Sequence, residues 1–235
     1  MMTLRPANHC GKADYGWLQA RYSFSFGHYF DPDFMGFKTL RVLNQEVIAP
    51  QNALQPRTYP HVDILNIILK GHAEYRDSLG NTIQADEGEC VRFSPRPDLS
   101  YSEQNVCPKT PLTRLQLWLN ACPQQESLPL QKIAISENES KLIASPDGED
   151  QSIQLRQQIW ITQIHLAANE STAITLKGKN SFLQSIHGGA TLRTPKGEQL
   201  GMNCNDGAFI QDDNQVIISA NKPFRGLLID LGEQS

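Results

Sequence analysis

Short runs in which apolar and polar residues alternate, each closed by Gly, Asn, Asp or Pro, recur from one end of this chain to the other. A period of two puts successive side chains on opposite faces of an extended strand, so the pattern predicts many short strands and little room for long helices. The clearest runs are Asp63 to Leu69, Leu112 to Leu119, Ile159 to Leu166, Ser181 to His187 and Val216 to Ala220. In the second of these, Leu115, Leu117 and Leu119 share one face and Arg114, Gln116 and Trp118 the other, the pattern of a half-buried strand. Ser78-Leu79-Gly80-Asn81 supplies Gly and Asn where a tight hairpin needs positive φ, between a strand ending near Asp77 and one starting near Thr82. Between Ala121 and Pro129 the alternation stops and the composition turns to Pro, Gln, Glu and Ser, which reads as a linker. It divides the chain into an N-terminal domain, 1–125, and a C-terminal domain, 126–235.

Composition narrows the partners more than the fold. A formal charge of −4 over 235 residues, with no dense Lys/Arg block, offers a phosphate backbone nothing to bind, so direct nucleic-acid binding is not expected. No apolar run approaches bilayer length, and Met1-Met2-Thr3-Leu4-Arg5-Pro6 is followed by polar and charged residues rather than an apolar signal core, so the expected setting is the cytoplasm, away from membranes. Five cysteines with no C-x-x-C pair argue against a disulfide framework and a structural zinc site. Cys122, at the start of the linker, and Cys10, with His9 before it and Lys12 after it, are the candidates for oxidation. Cys90 and Cys204 lie in strand-like runs and read as packing residues.

The run Gly71 to Asn81, GHAEYRDSLGN, resembles a G-x-x-E-x-RDSLGN segment of the pirin family. Asp14-Tyr15-Gly16-Trp17-Leu18, Phe24-Ser25-Phe26, Phe30-Asp31-Pro32, Met35-Gly36-Phe37 and Leu40-Arg41-Val42-Leu43-Asn44 extend that resemblance in family order over nearly all of the first half. It implies an all-β fold of two cupin barrels packed together, a bicupin with few short helices. In the family a metal sits on a His-Pro-His and a His-Ser-Glu motif. Counting back from Gly71 puts the first motif on Arg57-Thr58-Tyr59, and counting forward from Gly88 puts the second on Tyr101-Ser102-Glu103. Of the four ligands the resemblance implies, only Glu103 remains.

A divalent iron site needs neutral nitrogen donors converging on one point, whereas an arginine stays protonated and an ordinary tyrosine is a poor ligand. No cofactor is therefore expected; Arg57, Tyr59, His61, Asp63, Tyr101 and Glu103 are expected to line a pocket for a small polar or planar ligand. The alternative keeps Fe(II) or another divalent metal on Glu103, His61 and Asp63, since Arg57, Tyr59, His61 and Asp63 share one face if their strand is regular. Pairing of Glu103 with Arg57 or Arg92 is the preferred account of that carboxylate. Three function classes follow: a metal-poor, non-catalytic small-molecule binder or redox-responsive protein; a quercetin 2,3-dioxygenase-like enzyme on the residual site; and a protein-interaction module, for which the sequence identifies no partner.

Overall fold

The computed structural model describes residues 1–58, 61–96 and 98–233. Twenty-two strands account for almost all regular structure, and helical geometry among the described residues is confined to three 3₁₀ turns of three residues each. None of these is long and apolar enough to cross a membrane. The predicted strands appear with their ends moved by a residue or less, as Val62–Lys70, Leu112–Asn120, Ile159–Leu166, Asn180–His187 and Gln215–Ala220.

The chain separates into two units, Gly11–Ile135 on the one hand and Met1–Cys10 with Ser136–Ser235 on the other. The boundary falls later than the linker alone implies, because Gln131–Ala134 pairs antiparallel with Glu89–Phe93 and so adds a strand to the first unit. The opening segment is assigned differently as well. Met2–Arg5 pairs with Gly207–Gln211, which makes it an edge strand of the second unit.

In the first unit a seven-stranded sheet runs in the order Gln131–Ala134, Glu89–Phe93, Val62–Lys70, Leu112–Asn120, Leu40–Ile48, Leu18–Tyr22, Gly11–Asp14. A four-stranded sheet runs Ala53–Arg57, Tyr101–Asn105, His72–Asp77, Thr82–Asp86. Apolar side chains from both, among them Ile64, Ile68, Tyr75, Val91, Phe93 and Leu112, form one core between the sheets. Val62–Lys70 sits inside the larger sheet with a strand on either side and is buried on both faces over its first seven residues, which is why its sequence is mostly apolar, Asp63 and Asn66 aside.

Turn chemistry fixes the register of the smaller sheet. His72–Asp77 and Thr82–Asp86 are joined by Ser78 to Asn81, with Gly80 at φ +88°. Asn81 is not in the positive-φ region; instead it ties the turn, its backbone N–H and side-chain amide donating to the Asp77 carboxylate at 2.8 and 2.7 Å. Just upstream Gly71 has φ +89°, and a Cβ there would lie 2.6 Å from the Pro111 carbonyl oxygen.

The second unit repeats the arrangement with a seven-stranded sheet, Met2–Arg5, Gly207–Gln211, Asn180–His187, Phe224–Leu231, Ile159–Leu166, Lys141–Ser145, Ile153–Gln154, and a four-stranded one. Its core, including Leu183, Leu192, Ile210, Ile218 and Leu228, is separate from that of the first.

Candidate functional site

The lumen of the first unit carries charge where a barrel core would ordinarily be apolar. Arg114 lies opposite Glu46 in the antiparallel register between Leu112–Asn120 and Leu40–Ile48, so both side chains project from one row of the larger sheet. Glu103 projects from the smaller sheet, in register with Tyr75. The Arg114 Nε donates to both Glu103 oxygens at 2.8 and 2.9 Å, and its Nη2 donates to Glu46 Oε2 at 2.9 Å. The three groups are 1%, 6% and 3% exposed for Arg114, Glu103 and Glu46. A charge removed from water to this extent persists only when paired, and one guanidinium between two carboxylates meets that requirement from the arginine's side. Burial pulls the Arg114 pKa down, but the charges of Glu103 and Glu46 outweigh it and hold it above its ordinary value. Its Nη1, also buried, has no hydrogen-bond partner among the described residues.

Arg114 and Glu103 stand on the wall of a cavity of about 170 Å³. Its sides are aromatic. Tyr22 and Phe26 lie 5.3 Å apart between ring centroids, Phe26 meets Trp118 edge to face at 5.4 Å, and Phe93 stands 4.8 Å from Tyr75 and 5.4 Å from Tyr101. Burial, followed by the charge of Glu46, pushes the Tyr22 phenol up to about 12. Burial likewise raises Tyr75, with Glu103 adding to it, and Tyr101, with Asp77 adding to it. All three phenols therefore stay protonated near neutral pH. The amides of the lumen satisfy one another: Trp118 Nε1 donates to Gln116 Oε1 at 3.0 Å, and Gln116 Nε2 donates to Asn66 Oδ1 at 2.9 Å.

Of the residues expected to line a pocket, Arg57, Tyr101 and Glu103 do meet at this cavity, with Arg57 and Tyr101 directly opposite across their strand pair. Tyr59 lies outside the described residues. His61 and Asp63 do not join them. The stretch from Arg57 to Asp63 is not one strand: Ala53–Arg57 belongs to the smaller sheet and Val62–Lys70 to the larger, so the alternation does not carry across. His61 is exposed, while Asp63 is fully buried and accepts from Ser94 Oγ, which in turn accepts from Arg92 Nη1 at 3.0 Å. His61, Asp63 and Glu103 thus form no common site, and among the described residues no group of three or more His, Cys, Asp or Glu side chains could hold a metal ion.

Neither of the arginines expected to pair with Glu103 does so. Arg57 is exposed at the end of its strand, and Arg92 lies opposite Leu65, facing away from the lumen that Phe93 enters. The partner is Arg114, from a strand whose alternation reads as half-buried. Both of its faces are buried, since Arg114 and Gln116 line a closed barrel rather than water. Glu46, Tyr22 and Trp118 are further pocket residues that motif counting does not reach; the alternation of Asn44, Glu46 and Ile48 carries the signal for the first.

Among the cysteines, Cys10 is buried, with its thiol on the Pro6 carbonyl, which removes the exposure an oxidant would need. Cys204 is exposed in a turn rather than packed in a strand. Cys122 is exposed, with its Sγ 2.6 Å from Gln124 Oε1, and Cys90 is buried, which pushes its thiol far up.

Residues 3–119 match the family model described as Pirin, and residues 142–231 match the one described as Quercetinase C-terminal cupin domain. The chain is similar to the pirin-like protein YhaK of Escherichia coli K12, at 55% identity over 98% of this chain and 99% of that protein. It is similar to the quercetin 2,3-dioxygenase of the same organism at 30% identity over 98% and 99%. Its fold superposes on bacterial pirin YhhW from E. coli, solved in complex with nickel(II), with a TM-score of 0.90 at 29% identity and full coverage of both chains. The two sheet pairs are thus two cupin barrels, and the chain belongs to the pirin family.

Proposed function

We propose that this chain is a cytoplasmic pirin-family bicupin that binds a small molecule in its N-terminal barrel without turning it over. The observation that carries the reading is the Arg114 guanidinium seated between Glu103 and Glu46. The family's metal would need Glu103 as a ligand, yet both oxygens of that carboxylate already accept from a buried, permanently charged donor. Arg57 and Tyr101, the neighbours contributed by the matching motif positions, add a cation and a protonated phenol. This donor set does not fit a divalent ion. A dioxygenase reading draws on the 30% identity to the quercetin 2,3-dioxygenase and would require that ion. Elemental analysis of protein purified without chelator is expected to find metal far below one per chain, with no oxygen consumption on quercetin after iron is added. Stoichiometric metal together with turnover would overturn the proposal.

A redox-responsive role is a second reading, favoured by the exposure of Cys122. Brief peroxide treatment followed by peptide mass spectrometry is expected to place the first oxygen addition on Cys122, ahead of Cys10 and Cys90. Equal modification of buried and exposed thiols would remove that reading.

A further inference from the structure

The lumen specifies more than the presence of a ligand. Its volume, about 170 Å³, is close to the roughly 150 Å³ of a cavity that holds one benzene ring, and because it opens to solvent past the exposed Arg57 and His28, the fused and appended rings of a flavonol would have to project out of it. Its sides are ring faces and edges, with Phe26 and Trp118 on one side and Phe93 and Tyr101 on another, surfaces that receive a flat apolar body.

The polar end is equally particular. Arg114 Nη1 is a buried donor without a hydrogen-bond partner among the described residues and with almost no surface open to a water-sized group, so a ligand acceptor reaches it only as the wall gives slightly, and then removes the cost of leaving it unmade. The adjoining Glu103 and Glu46 oxygens accept from Arg114, with the Tyr75 phenol beside Glu103 and Asn44 Nδ2 donating to Glu46 Oε1 at 3.4 Å, but a carboxylate offers about four lone-pair sites and has capacity left for a further donor. The group that fits both requirements donates one hydrogen bond and accepts another from the same atom, as a hydroxyl does.

Charge then decides its state. Two buried carboxylates against one guanidinium leave the cluster with a net negative charge, and the three tyrosines around it add none while protonated. Arg57 and His28 face the same cavity but are exposed, where water weakens their effect. A ligand carboxylate or phenolate at the Arg114 end would meet repulsion in a medium that screens poorly.

Resting on the reading of the barrel as a metal-free binding site, we propose that its lumen takes an uncharged single-ring phenol, with the hydroxyl lodged between Arg114 Nη1 and the Glu103 and Glu46 carboxylates and the ring against Phe93 and Trp118. Phenols and catechols belong to this class; aromatic acids and flavonols do not.

The test uses the full chain and four probes: phenol, catechol, benzoate and quercetin, each titrated by calorimetry at neutral pH. Phenol and catechol are expected to bind saturably at one site, at least about tenfold more tightly than benzoate or quercetin. Removing Arg114 risks the fold, so location is tested with Leu54→Trp, which fills the lumen from the edge strand Ala53–Arg57. With its circular dichroism unchanged, this variant should bind catechol at least about tenfold more weakly. Benzoate or quercetin binding as tightly as catechol, and lost in Leu54→Trp, would overturn the phenol assignment while leaving the small-molecule reading intact. Catechol binding that survives Leu54→Trp would overturn the location. Binding of none of the four would overturn the assignment and count against the small-molecule reading with it.

Discussion

Arg114 is the residue on which the N-terminal lumen turns. Deleting its charge strands Glu46 and Glu103, both buried and facing one another across the barrel, so Arg114→Met is expected to destabilise the protein by about 3–5 kcal/mol. Replacing all three charges, with Glu46→Gln and Glu103→Gln added, should recover most of that loss, because a buried ion triad is close to break-even against neutral residues of similar shape. Urea denaturation of the single and triple variants measures both; a triple variant no more stable than Arg114→Met would mean that the arginine acts through packing rather than charge. The sequence exposes only part of this cluster. Motif counting reaches Glu103, Tyr101 and Arg57, because a glycine-anchored register transfers from strand to strand. Arg114 stands in plain view beside Gln116 and Trp118, but alternation in one strand says only that two faces differ, not which of them is the lumen. That choice depends on Glu46, 68 positions away, and on Glu103 in the other sheet.

Between residues and barrels, the elements are held in register by a few turns, and two glycines separate the causes. Gly80 has φ +88° with nothing within 4 Å of where a Cβ would stand, whereas Gly71 has φ +89° with the Pro111 oxygen 2.6 Å from that point. Gly80→Ala is therefore expected to cost about 1 kcal/mol, the strain of a left-handed backbone partly offset by a less flexible unfolded chain. Gly71→Ala adds a clash with backbone that cannot swing aside, and should cost about 2 kcal/mol or more. Chemical denaturation of the pair decides this; equal losses would show that the close approach of Pro111 relaxes freely. Strand positions are legible to within a residue because alternation and turn residues are local signals. The apparent strand from Arg57 through Asp63 shows the limit: Pro60 inside the run is a local mark against one regular strand, and with one parity assumed across it the pattern places His61 and Asp63 in a lumen they do not reach.

On the scale of the whole molecule, order along the chain and membership of a barrel part company at the first strand. Met2–Arg5 precedes the N-terminal barrel in sequence, yet it pairs with Gly207–Gln211, and Met2 and Leu4 pack against the core of the C-terminal barrel. A four-residue strand carries too short an alternation to declare its partner, so a reading along the chain assigns it to its neighbours. The two cores are distinct, which makes the consequence separable. Leu4→Asp puts a carboxylate against the second core and is expected to cost about 1–3 kcal/mol there. In native-state hydrogen exchange the amides of Gly207–Gln211 and Asn180–His187 should lose protection, while those of Val62–Lys70 keep theirs, because local opening follows the core to which a strand belongs. Equal loss in Val62–Lys70 would mean that the barrels open as one cooperative body, and that a defect in the second reaches the Arg114 lumen of the first.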